Sequence, residues 1–123
     1  MDKIIVTGCN GQLGRAINKE LGVTGKYEIV NTDVFEGEGI IPLDITNVDS
    51  VIKLVKDVKP KAVINCAAYT AVDKQESDVD LSYKINAIGP RNLSIAATEV
   101  GAKLVHVSTD YVFAGNATKP YTE

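Results

Sequence analysis

The chain of 123 residues is 45% hydrophobic and 24% charged, which predicts one folded domain and excludes intrinsic disorder as its overall state. Thirteen basic against sixteen acidic side chains leave a net charge of −3, no electrostatic footprint for nucleic acid or an anionic membrane surface. One histidine and two distant cysteines, Cys9 and Cys66, cannot build a metal cluster, and with no apolar leader they read as reduced thiols of a soluble cytoplasmic protein.

Lys3 to Thr7 is a short β-branched run ending at Gly8 and predicts a buried strand. Leu13, Ile17 and Leu21, four apart, mark one face of a helix that Gly22 and Gly25 punctuate. Tyr27 to Thr32 is a second strand closed by Asp33, followed by an acidic, glycine-rich loop over Phe35 to Gly39. Ile40, Ile41 and Leu43 make a short third strand ending at Asp44. Thr46 reads as a helix N-cap with Asp49 three positions on, and Val48, Ile52 and Val55 as that helix's apolar face, with Pro60 beyond its end. Ala62 to Cys66 is strand four. Val79 to Val100 reads as a long helix stopped by Gly101, and its internal Gly89-Pro90 predicts a kink or an irregular turn. Lys103 to Val107 is strand five, with His106 read as a satisfied core histidine, and Ala114 to Glu123 has no periodicity.

Apolar strands alternating with helices predict an α/β fold, a Rossmann-type doubly wound parallel sheet covered on both faces. Right-handed crossovers give it the strand order 3-2-1-4-5.

Gly8, Gly11 and Gly14 fall directly after strand one and open the first helix. Gly8 permits the tight turn, Gly11 lets backbone amides approach a pyrophosphate, and Gly14 lets the helix pack closely. The helix start supplies unpaired N–H groups and a favourable dipole for that anion. Asp33, 19 positions beyond Gly14, stands where an acid accepts hydrogen bonds from the adenosine ribose hydroxyls, which favours NAD. A 2′-phosphate would meet repulsion there, with Glu36 and Glu38 near and no Arg or Lys between Val34 and Ile40. Asp44 could bond an adenine amino group or cap the following helix. Ala67 and Ala68 are small enough for a cofactor to lie against backbone, and a tight helix–sheet contact would need the same two residues.

Three segments then carry a resemblance. Gly11-Gln12-Leu13-Gly14, the run Asn65-Cys66-Ala67-Ala68-Tyr69-Thr70-Ala71-Val72-Asp73, and Ser108-Thr109-Asp110-Tyr111-Val112-Phe113-Ala114-Gly115 occur in this order. Together they resemble the dTDP-4-dehydrorhamnose reductases, a branch of the extended short-chain dehydrogenases/reductases. The resemblance implies an NAD(P)-dependent oxidoreductase of dTDP-rhamnose biosynthesis, reducing the C4 ketone of dTDP-4-dehydro-6-deoxy-L-mannose to dTDP-L-rhamnose. Its partner is then a nucleotide-sugar substrate, with no nucleic acid and no membrane; a homo-oligomer stays open. Carried over by position, cofactor contacts fall on Gly11, Gln12, Leu13, Asp33, Asp44, Ile45, Ala67, Ala68 and Thr70, which moves Asp44 toward the adenine reading. Thr109 matches the catalytic hydroxyl, and Asp110 sits beside the substrate. A hydroxyl at the end of strand five can donate to a ketone oxygen that becomes alkoxide, so Thr109 counts in both the catalytic and the substrate-binding sets.

The Tyr-x-x-x-Lys pair that these enzymes use is absent: no tyrosine of this chain has a lysine four positions on. Residues 1–123 therefore read as the N-terminal part of an NAD(P)-binding Rossmann domain, truncated before the remaining strands and the substrate domain. Alone, they are expected to be inactive. Two other readings share the glycine loop: a non-catalytic subunit resembling the regulatory subunit of methionine adenosyltransferase, and a nucleotide-sugar epimerase or dehydratase.

Overall fold

The computed structural model describes residues 1–35, 37–67 and 83–107. Five parallel strands, β1 (Asp2–Thr7), β2 (Tyr27–Asp33), β3 (Ile40–Pro42), β4 (Ala62–Asn65) and β5 (Lys103–His106), form one sheet in the order β3-β2-β1-β4-β5. This is the expected doubly wound order. β1 lies at the centre, with Ile5 paired to Val30 on one side and to Val63 on the other.

Side chains alternate across a strand, so β1 feeds two separate cores. Ile5 points to one face, where it clusters with Val63 and with Val51, Val55, Leu93 and Ala96 of two helices, α2 (Val48–Val58) and α3 (Gly89–Val100). Ile4 and Val6 point to the other and meet Ile17 and Leu21 of helix α1 (Gln12–Thr24). Burial on both faces is why these strands read as continuous apolar runs. On that second side Asn18 of α1 and Asn31 of β2 exchange side-chain hydrogen bonds of 2.8 and 2.9 Å.

Several local expectations change. Leu13 is 41% exposed, so the α1 stripe reduces to Ile17 and Leu21. In α2 the fully buried residues are Val51 and Val55, while Val48 is 37% exposed. Spacings of three and four fit two adjacent stripes of a valine-rich helix equally, and only packing chooses between them. The N-cap is Asn47, whose Oδ1 accepts from the Ser50 amide at 3.1 Å, and not Thr46. The Thr46 amide and hydroxyl instead donate to Asp44 Oδ1 at 2.9 and 2.7 Å, which leaves Thr46 engaged in the turn before the helix.

The irregularity expected at Gly89-Pro90 is a π-helical turn over Lys84–Ile88, closed by the Gly89 amide donating to the Lys84 carbonyl. Pro90 lacks an N–H and its ring crowds the preceding helical turn, so a widened turn ahead of it relieves the clash. The earlier part of the predicted helix, from Val79, lies outside the described residues.

A buried polar ladder crosses the sheet near its carboxyl edge. The Thr7 hydroxyl donates to Asn65 Oδ1 at 2.6 Å, the Ala67 amide donates to the same oxygen at 3.2 Å, and Asn65 Nδ2 lies 3.1 Å from His106 Nδ1. His106 is exposed on β5 at the sheet's edge, not a core residue, although its ring is paired as expected. Among the described residues, no helix is long and apolar enough to cross a membrane.

Candidate nucleotide-binding cleft

A cleft of about 530 Å³ opens at the carboxyl ends of β1, β2, β3 and β4. In open parallel sheets this edge, where the crossovers diverge, is where ligands bind. Of the expected cofactor residues, Gly8, Gly11, Asp33, Asp44, Ile45 and Ala67 line it.

Gly8 turns the chain off β1 with φ +64°, in the left-handed region that favours glycine. A methyl group there would lie 2.6 Å from the Ala67 nitrogen and 2.7 Å from the Cys66 carbonyl carbon, so the loop is pressed backbone to backbone against the exit of β4. Gly14 is buried in the first turn of α1, where a methyl group would meet the Gly8 oxygen at 2.5 Å. Its role is therefore to admit the glycine turn over the helix, and it does not line the cleft. Gln12 and Leu13 are exposed on the first turn of α1 and do not line it either. What that turn offers is backbone: an α-helix leaves its first N–H groups without intrahelical acceptors, and α1 has neither a side-chain cap nor an acid in its first turn.

Asp33 joins the two halves of the cleft. Its Oδ2 accepts from the Asn10 amide of the glycine loop at 3.0 Å, and its Oδ1 accepts from the Val34 amide at 2.7 Å. The backbone beside it also holds the loop, since the Cys9 amide donates to the Thr32 carbonyl at 3.1 Å. The carboxylate thus fixes the loop as well as facing the cleft.

Sequence reasoning passed over Asn10, Phe35, Thr46, Cys66 and Ile85, all of which line the cleft. Phe35 is 70% exposed, and an isolated aromatic just beyond a strand's carboxyl end was the available signal. Ala68, Thr70, Thr109 and Asp110 lie outside the described residues, as does Glu36.

Cys9 and Cys66 are free thiols in one apolar cluster beneath the glycine turn. Burial raises the pKa of Cys9 above its ordinary value of 9.0, with the Asp33 carboxylate adding to the effect. Burial also raises Cys66, with Cys9 as the lesser cause. The unfolded chain therefore releases these protons first, and the folded state is favoured fully below about pH 9 and progressively less above it. Denaturant midpoints should hold steady from about pH 7 to 8 and fall as the pH rises above about 9, by more than in a Cys9→Ala/Cys66→Ala variant. Equal alkaline losses in the two proteins would contradict this coupling.

The whole chain, residues 1–123, matches the family model described as RmlD substrate binding domain. It is 42% identical over 123 residues to a dTDP-4-dehydrorhamnose reductase of Aggregatibacter actinomycetemcomitans, all of this chain against 40% of that protein. The fold is similar to the crystal structure of a dTDP-4-dehydrorhamnose reductase from Clostridium acetobutylicum, with 56% identity, a TM-score of 0.87, and coverage of 98% of this chain and 41% of that one. A dTDP-4-dehydrorhamnose reductase from Bacillus anthracis, solved in complex with NADP, is similar at 46% identity and a TM-score of 0.84, covering 95% of this chain and 39% of that one. The chain thus spans about two-fifths of the length of these relatives. With a model that matches it from end to end, the chain belongs to the RmlD substrate binding domain family, the family of the dTDP-4-dehydrorhamnose reductases.

Proposed function

We propose that these residues form the cofactor-binding part of an NAD(P)H-dependent reductase that converts dTDP-4-dehydro-6-deoxy-L-mannose to dTDP-L-rhamnose. The observation that carries the reading is the union of glycine loop and acid: Asp33 holds the Asn10 amide across the mouth of a cleft lined by Gly8 and Gly11. Gly8 and Gly11 present backbone without side chains to the cleft, which suits the close approach of a dinucleotide's pyrophosphate. When bound, NAD(P)H supplies the hydride for the C4 carbon. The first-turn amides of α1 would hold its pyrophosphate, and Asp33 its ribose. Asp44, Ile45 and Thr46 would form the wall beside the adenine.

Asp33 favours NADH over NADPH in this reading, because a 2′-phosphate would face a carboxylate and, among the described residues, no lysine or arginine lines the cleft. The relative solved with NADP makes this a sharp comparison. In the full-length protein, Asp33→Ala should weaken NADH binding at least several-fold, since it removes both the ribose acceptor and the Asn10 anchor. NADPH should lose less. Equal NADH affinities before and after the change would remove Asp33 from the site, and a wild-type preference for NADPH would refute the electrostatic argument.

For the chemical step, Thr109 donates its hydroxyl to the ketone oxygen as charge develops there, and Asp110 contacts the sugar. Replacing Thr109 by Val keeps the shape and removes the donor. A fall in kcat of roughly tenfold or more, with little change in KM, is expected for a hydroxyl that acts mainly in the transition state. Unchanged kcat would return Thr109 to a purely structural role.

A further inference from the structure

The cleft wall at Asp44, Ile45 and Thr46 follows directly on the sheet: the Leu43 amide donates to the Asp33 carbonyl at 2.9 Å, and the Ile45 side chain is buried in one core with Ile5 and Val63. β3 is an edge strand of three residues that ends at Pro42, before the wall begins. At Ile45 itself the backbone carbonyl is tied from the other side, by α3. Asn92 is 3% exposed, and its Nδ2 donates to the Ile45 carbonyl at 2.9 Å across 47 residues of sequence. One turn earlier, a methyl group on Gly89 would lie 2.6 Å from Ile45 Cγ1, so the helix backbone is seated directly against that side chain. Earlier still, in the π-helical turn, Ile85 reaches the cleft itself. Ile85, Gly89 and Asn92 are spaced four and three apart. One helical stripe therefore lines the cleft, abuts the wall and ties its backbone.

We propose that Asn92 is a positioning residue for cofactor binding: it fixes the Ile45 carbonyl, and with it the Asp44–Thr46 wall, at the depth that an adenosine group requires. The proposal rests on the dinucleotide reading above. A buried amide aimed at one carbonyl is suited to this task because its loss leaves that carbonyl without the donor in an apolar setting, and the wall must shift to resatisfy it. Gly89 seats the Ile45 side chain of the same wall, and a Cβ there would require that side chain to shift.

The test uses the full-length protein with Asn92→Leu and Asn92→Ser, with NADH and ADP as probes. Asn92→Leu should weaken NADH and ADP by the same factor, roughly tenfold, as expected for one buried hydrogen bond. KM for NADH should rise in parallel, while kcat at saturating NADH stays within about twofold, since the wall faces only the adenosine half. A merely structural Asn92 would lower stability and the active fraction without moving KM or the ADP affinity, and that result would overturn the proposal. Should Asn92→Leu fail to fold, Asn92→Ser puts the same question, and wild-type ADP affinity in that folded variant refutes it. If the wild-type protein binds neither NADH, NADPH nor ADP, the dinucleotide reading itself falls. Wild-type binding with unchanged variants sinks only the role of Asn92.

Discussion

Gly8→Ala in the full-length protein is expected to abolish measurable NADH binding at concentrations that saturate the wild type, and to lower stability by about 2–5 kcal/mol. Two terms combine: a left-handed φ of +64° for a residue with a Cβ, and an overlap with backbone atoms of Cys66 and Ala67 that no rotamer change can relieve. Relief requires the glycine turn or the exit of β4 to move, and both line the cleft. Gly22→Ala is the control. Gly22 lies in α1 with open space around its Cβ position, so alanine there should stabilise the protein by roughly 0.5–1 kcal/mol and leave affinity alone. Wild-type affinity in Gly8→Ala would disprove the backbone cradle.

Asn65→Leu should destabilise by about 2–5 kcal/mol, although leucine keeps the branching of asparagine. Asn65 is 1% exposed, and its oxygen accepts from both the Thr7 hydroxyl and the Ala67 amide. Leucine strands both donors, and each buried unsatisfied group costs roughly 1–3 kcal/mol. Adding Thr7→Val removes one stranded donor with little change of shape. The double variant should therefore be more stable than Asn65→Leu alone, a coupling that denaturant unfolding can measure. Strictly additive losses would show that the ladder contributes nothing as a unit.

The parts of this molecule that were legible in its sequence are those set by local or periodic chemistry. β1 could be read because Ile4, Ile5 and Val6 are apolar toward both faces, and strand order followed from right-handed crossovers between such strands. The glycine loop and Asp33 could be read because their spacing reflects a fixed backbone path. Partner choice among polar side chains could not. Thr46 and Asn47 are both good caps by composition, and only the reach of Asp44 decides which one is consumed by the preceding turn. Asn92 looks like any helix-interior amide until the fold brings Ile45 beneath it. Leu13 fitted the α1 stripe by spacing, but at the start of the helix it is exposed, while Ile17 and Leu21 pack on the sheet.

The ladder across the carboxyl edge also settles where a single proton resides. Asn65 Oδ1 receives two donors, so the opposite end of that amide, its NH₂, must be the one turned toward His106. Nδ1 of the ring can meet an NH₂ only as a bare lone pair, which assigns the ring to the tautomer carrying hydrogen on Nε2. The backbone amide of Ala67, which can only donate, fixes that orientation of Asn65 and thereby the tautomer of an imidazole on the neighbouring strand.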